Sequence, residues 1–175
     1  MGILICGLNG SGKSTIGRKL AERLSYRFID IEDIYFPKSD LSYKYDYSRK
    51  EDEVIKILEE ETSENRRFVL TSVIGDFGNR FLSTLDVIVY IEVSKEERLR
   101  RVFSRSYEEY GERMLPGGDL YEKENSFLSL VSRRSDDYVN NWLATIDCPV
   151  IRIDGMQPVD ENIEYLLSVL GQYVK

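Results

Sequence analysis

Histidine is absent from all 175 residues, so no imidazole is available as a base or a metal ligand. A zinc site is thereby disfavoured, and any general base has to be a carboxylate or an unusual group. Cysteine is scarce: Cys6 sits in an apolar run, Cys148 precedes Pro149, and no C-x-x-C pair occurs. Two isolated cysteines of this kind read as buried free thiols in a reducing compartment. Positive charge is in deficit as well. A net charge of −7 and a pI of 4.8 argue against a broad nucleic-acid or anionic-membrane surface. No apolar run approaches the length of a membrane span, and the opening run at 1–6 is too short for a signal h-region. The expected location is the cytoplasm. Internal repeats and linkers are lacking too, so residues 1–175 read as a single domain.

What is present is an ordinary globular composition, 42% hydrophobic and 31% charged. Gly7-Leu8-Asn9-Gly10-Ser11-Gly12-Lys13-Ser14 matches G-x-x-x-x-G-K-[ST] in full. It follows the apolar run Ile3-Leu4-Ile5-Cys6 and leads into a segment with apolar residues at helical spacing, Ile16 to Leu24. Strand, glycine loop and helix are the context in which this P-loop pattern cradles a polyphosphate. Glycines let backbone N–H groups turn inward, and the helix N-terminus adds its positive dipole end. Lys13 is placed to reach the β- and γ-phosphates, and the Ser14 hydroxyl to ligate Mg²⁺. The nucleotide site is accordingly assigned to Gly7, Asn9, Gly10, Ser11, Gly12, Lys13, Ser14 and Thr15.

Further strands are expected at Phe28-Ile29 (ending at Asp30), 68–71, 87–93 and 150–153. Helices are expected over 49–61, from a Ser94/Glu97 capping box onward, and at the C-terminal end, where Ile163, Leu166, Leu167 and Leu170 share a face. One long helix is expected to carry Phe127, Val131, Tyr138 and Trp142 on a single stripe. Strands alternating with helices imply a parallel sheet covered on both faces. Two polar stretches, roughly 35–48 and 106–119, exceed ordinary loop length and read as functional flaps, with a surface insertion as the plainer alternative.

Candidate chemistry lies in an acidic group and a set of arginines. Asp30, Glu32 and Asp33 follow the second strand, where ligands of open α/β sheets bind. One carboxylate there is suited to holding Mg²⁺ through its waters and another to orienting an acceptor hydroxyl; starting a helix is the competing role. Arg101 and Arg105 are four apart and share a helix face, as a pair closing on a polyphosphate requires. Arg98 and Arg100 read as a solvated basic face, and one of Arg133 and Arg134 as a further member of the phosphate cage. Tyr43, Tyr45 and Tyr47 are suited either to stacking on a base or to covering the core from a loop.

These residues together resemble the adenylate-kinase-like group of small P-loop kinases, which includes nucleoside monophosphate, shikimate and gluconate kinases. The start through Ile16-Gly17-Arg18-Lys19-Leu20-Ala21 and the acidic Phe28-Ile29-Asp30-Ile31-Glu32 segment are similar to shikimate and gluconate kinases. Arg101-Val102-Phe103-Ser104-Arg105 is similar to the arginine pair that opens the lid of adenylate kinases, and Asp154-Gly155-Met156-Gln157-Pro158 to the segment bordering their adenine. The resemblance implies a three-layer α/β/α fold, a five-stranded parallel sheet of order 2-3-1-4-5, a mobile lid at about 106–119 and an acceptor region at about 33–60. It implies ATP and Mg²⁺ as cofactors and a small-molecule acceptor as partner. Ser14 and Asp30 would serve the metal, and Arg101, Gly155, Met156 and Pro158 the nucleotide. Lys13, Asp30, Glu32, Asp33, Arg101 and Arg105 would be catalytic, with Asp33, Arg49, Ser72 and Gly75 toward the acceptor. The segment Thr71-Ser72-Val73-Ile74-Gly75-Asp76 has no arginine before Arg80, unlike the acceptor-phosphate grip of adenylate kinases, so the acceptor stays open. The expected activity is ATP-dependent phosphoryl transfer; the alternative is a nucleotide-binding regulatory ATPase.

Overall fold

The first strand, β1 (Gly2–Cys6), is buried at every position, which requires cover on both faces and both edges. Parallel β3 (Phe68–Ser72) pairs along one edge, Ile3 beside Val69, and β4 (Leu85–Glu92) along the other, Ile3 beside Val87. The flanking strands are β2 (Arg27–Asp30) and β5 (Val150–Asp154), giving the order β2-β3-β1-β4-β5 that the resemblance implied. The computed structural model describes residues 1–37 and 43–173. Part of the irregular stretch expected at 35–48, residues 38–42, lies outside the described residues.

Alternation along the strands sorts the core into two layers. Ile3, Ile5, Val89 and Ile91 pack with Ile16 and Leu20 of α1 (Lys13–Leu24) and Ile163 and Leu166 of α8 (Val159–Leu170). On the opposite face Leu4, Cys6, Leu70 and Ile88 meet Val54 and Leu58 of α3 (Glu51–Glu64), Phe81 of α4 (Asn79–Leu82), and Val139 and Leu143 of α7 (Asp137–Leu143). Burial pushes the free Cys6 thiol up to about 12. No helix among the described residues is long and apolar enough to cross a membrane.

Two segments differ from the periodic reading. The single long helix is two: α6 (Tyr121–Arg133) and α7, separated where Arg134 adopts extended dihedrals. Ser135 Oγ accepts the Asp137 N–H at 3.2 Å, so a side-chain turn replaces the helical ladder. As a result Val131 and Val139 are buried while Tyr138 is 43% exposed, which breaks the expected stripe. The stretch at 106–119 is also more ordered than its composition suggests. Helix α5 (Lys95–Tyr110) runs into it and stops where Gly111 takes φ +57°. A 3₁₀ turn (Gly111–Met114) follows, Met114 and Leu120 are buried, and Arg113 clasps Asp119 at 2.9 and 2.7 Å.

Candidate nucleotide and acceptor site

The loop joining β1 to α1 lies at the carboxyl end of the sheet. Gly7 N donates to Val73 O at 3.2 Å and Ser11 N to Leu8 O at 3.1 Å, fixing both limbs of the loop. Gly10 has φ +84°, and a Cβ there would lie 2.3 Å from the Arg98 carbonyl, so α5 closes the back of the loop against bare backbone. Gly12 has φ +93° with open space where a Cβ would be, and α1 starts without a side-chain cap or an acidic residue in its first turn. The first N–H groups of α1 are therefore left for an anion. Ser11 Oγ is buried and has no hydrogen-bond partner among the described residues. Lys13 Nζ donates to Leu8 O at 3.2 Å. Desolvation pulls its pKa down to about 8, against the charges of Glu32 and Asp30 and with that of Arg105.

A cavity of about 200 Å³ joins Gly10, Gly12, Lys13, Ser14 and Thr15 of the loop to Glu32, Arg101 and Arg105. The arginine pair expected to converge on the loop does so. Arg101 is positioned from two sides: its Nε donates to Glu97 at 2.7 Å, and both Nη atoms donate to Gly155 O at 3.2 and 3.1 Å. Hydrogen bonds from Arg100 and Arg101 hold the Glu97 carboxyl down at about 2. Ser94 caps α5 by accepting the Glu97 N–H at 3.4 Å, and the Glu97 carboxylate serves the arginines. A Cβ on Gly155 would lie 2.5 Å from Val93 and 3.0 Å from Ser11 O, so the 154–158 segment is seated against β4 and the loop, with Met156 exposed and Pro158 starting α8.

Arg98 corrects the reading of a solvated face. It is 2% exposed, donates to Val93 O at 3.3 Å and bonds Asp136 across the gap between α5 and α7. Arg100 is exposed and paired with Glu97, as expected. Of the two later arginines, Arg134 returns to the loop, donating to Asn9 Oδ1 at 3.1 Å with its guanidinium over Tyr138, while Arg133 is exposed.

The acidic group separates cleanly. Asp30 caps α2 (Ile31–Tyr35), accepting the Glu32 N–H at 3.1 Å through one oxygen; its other oxygen has no hydrogen bond among the described residues. Glu32 faces the phosphate-loop cavity and is 3.3 Å from Lys44. Asp33 is exposed and lines neither that cavity nor the two clefts beside it. The acceptor-side residues are only partly brought together. Ser72 lines a cleft of about 410 Å³ with Glu32, Phe36 and Arg134. Arg49 is drawn into the fold instead, donating to Ile34 O at 2.6 Å. Gly75 is buried, with Leu4 and Trp142 where its Cβ would be, so its role is packing. Arg80 is exposed and pairs with Glu59 at 3.1 Å.

A third hollow, about 630 Å³ and mainly apolar, shares Asn9 and Glu32 with the phosphate-loop cavity. Its wall is Phe36, Tyr43, Tyr45 and Phe127. Tyr45 stacks on Phe127 at 4.9 Å and meets Phe36 edge-on at 4.9 Å. Tyr43 is buried; desolvation and the neighbouring Glu124 carboxyl raise its pKa. Tyr47 is 52% exposed and outside the cluster. Phe36, Phe127 and the arginine-positioning Glu97 were missed as candidates; only a pairing of α6 with the 43–46 turn would have signalled the aromatic wall.

A family model described as an AAA domain matches residues 3–126. The chain belongs to this AAA domain family. It is 29% identical over 177 residues to the uncharacterized protein YqaC of Bacillus subtilis, covering 97% of both chains. It is 32% identical over 111 residues to the shikimate kinase of Vibrio cholerae, a match spanning 57% of this chain and 62% of that kinase. Among solved structures, a gluconokinase from Sinorhizobium meliloti superposes with a TM-score of 0.57 at 17% identity over 98% of this chain and 91% of that one. The deoxyadenosine kinase of M. mycoides, with products dCMP and a flexible dCDP bound, gives 0.56 at 16% identity over 98% and 100%. At such identities the likeness is one of fold.

Proposed function

We propose that this protein is a P-loop kinase that transfers the γ-phosphoryl group of ATP to a hydroxyl of a small-molecule acceptor. The observation that carries the reading is the shared cavity, in which Lys13, Arg101, Arg105 and one carboxylate, Glu32, meet the open N-terminus of α1. Lys13 and the loop amides hold the β- and γ-phosphates. Arg101, fixed by Glu97 and the Gly155 carbonyl, borders the base and α-phosphate side; Arg105 opposes charge on the transferring group. The acceptor oxygen bonds to the γ-phosphorus, the bond from that phosphorus to the bridging oxygen breaks, ADP leaves, and the acceptor proton passes to the Glu32 carboxylate. The residues present suit a hydrated Mg²⁺: Ser14 lines the cavity, and Asp30 keeps one oxygen for a water. When bound, the metal neutralises charge across the β- and γ-oxygens.

Release of ADP in the presence of ATP, Mg²⁺ and a panel of alcohols tests the proposal. Acceptor-dependent ADP formation that vanishes in Lys13→Ala is the expected result. ATP hydrolysis that no acceptor accelerates would favour a regulatory ATPase instead.

A further inference from the structure

Charge and surface chemistry in the hollow beyond Glu32 bear on what the acceptor is. An acceptor bearing a carboxylate or phosphate needs an unpaired cation, best a guanidinium fork. Among the described residues, the cations that line the hollow and its adjoining cleft, Lys123 and Arg134, and those beside them already have partners, while the guanidinium without one, Arg105, lines the phosphate-loop cavity. Lys44 is on Glu32, Lys123 on Asp46, and Arg49 on the Ile34 carbonyl. Arg134 is on Asn9 and Tyr138, and Arg80 is on Glu59. The hollow itself is lined by three carboxylates, Glu32, Asp46 and Glu122, and one ammonium, Lys123. The adjoining cleft adds Glu51 and Asp76 against Arg134 alone. An anionic acceptor would meet more carboxylates than cations on these described linings.

The same walls suit a planar ring. Phe36, Tyr45 and Phe127 form one aromatic surface, and about 630 Å³ is within the range of small-molecule sites. Polar groups at its rim are weighted toward acceptors: Glu122 and the Asp46 oxygen not bonded to Lys123 accept N–H donors, with Asn9 and Ser126 beside them. Exocyclic amino groups are such donors. The hollow and the phosphate-loop cavity meet at Asn9 and Glu32, so a hydroxyl attached to a ring held there reaches the carboxylate that faces Lys13.

We infer that the acceptor is an uncharged nucleoside whose base carries an exocyclic amino group, seated on the Phe36–Tyr45–Phe127 wall with its sugar hydroxyl at Glu32. This rests on the phosphoryl-transfer reading above and narrows its substrate class.

The test compares adenosine and cytidine, and their 2′-deoxy forms, with uridine, AMP, CMP and gluconate as acceptors, alongside calorimetric titration with MgATP. Adenosine or cytidine is expected to give kcat/KM at least about tenfold above uridine and above the monophosphates, the equivalent of one lost base-edge contact. Glu122→Arg, on the exposed rim, is expected to narrow the nucleoside-to-monophosphate preference about tenfold by reversing the local charge. Phe127→Leu keeps an apolar side chain but removes the stacking face; it is expected to raise nucleoside KM about tenfold, with the KM for ATP within about twofold. Its melting temperature separates this effect from unfolding. Preferential phosphorylation of AMP, CMP or gluconate overturns the proposal and leaves phosphoryl transfer standing. ATP binding with no nucleoside phosphorylated also overturns it. Absence of ATP binding removes the parent reading as well.

Discussion

Of the nine consecutive residues from Gly7 to Thr15, six line one cavity, whereas the hollow beside it takes Phe36, Tyr45 and Phe127 from three separate stretches. The first region works through main-chain conformation: left-handed glycines, a helix N-terminus without a cap, and one half-buried ammonium. The second works through side chains brought into register by packing. Main-chain chemistry is written in a short pattern because glycine and lysine do the same thing in every such loop. A side-chain wall depends on which helix faces which turn, and many patterns satisfy that. The loop can therefore be read from a short pattern that recurs among proteins, and the aromatic hollow cannot.

Substitutions that strike one region and spare the other sharpen this contrast. The largest effect is expected from Lys13→Ala: kcat falls on the order of 10³-fold, with the melting temperature unchanged or raised, read by steady-state kinetics and thermal denaturation. Next, Glu32→Gln is expected to lower kcat roughly 10²- to 10³-fold by removing the proton acceptor, while Asp33→Asn stays within about twofold. Equal losses in the two variants would break the separation drawn between these carboxylates. Arg101→Ala is expected to raise the KM for ATP roughly tenfold, because both the Glu97 and Gly155 contacts vanish, and to leave the acceptor KM unchanged. Asp136→Ala strands the buried Arg98 behind the phosphate loop; a loss of about 2 kcal/mol in denaturant unfolding is expected.

The most gradual effect is a pH dependence of Lys13. Its folded-state pKa, about 8, lies below the ordinary 10.5, so between these values the folded protein binds fewer protons than the unfolded chain. Stability from this group therefore rises with pH across that window, and the burial penalty is fully present below it. Lys13→Met is expected to remove the slope. Nucleotide binding near the top of the window should take up a proton, because phosphates restore the ammonium; calorimetry in buffers of different ionisation enthalpy reads the uptake.

Much of the frame was legible in the chain. Strands expected at 68–71 and 150–153 extend by one residue each, to Ser72 and Asp154, because β-branched and apolar runs have no other stable place. The convergence of Arg101 and Arg105 followed from their spacing on one helix. Readings that failed share a cause, a partner distant in sequence. Arg98 looked solvated because nothing local shows that Asp136 and the Val93 carbonyl enclose it. Arg49 and Gly75 were expected toward the acceptor, but Arg49 donates to the Ile34 carbonyl and Gly75 packs beneath Trp142. The long helix failed locally: Ser135 offers the backbone an alternative bond that hydrophobic spacing does not register.

By itself the sequence determined a phosphate-cradling loop, a parallel sheet and the helix faces that cover it. Those depend on backbone freedom and on periodicities of two and 3.6 residues, which the order of residues states directly. Tertiary structure alone decided which acidic residue faces Lys13, which arginines reach the loop, and what lines the hollow beside it. Those are questions of distance between remote segments, and close packing of the two core layers settles them.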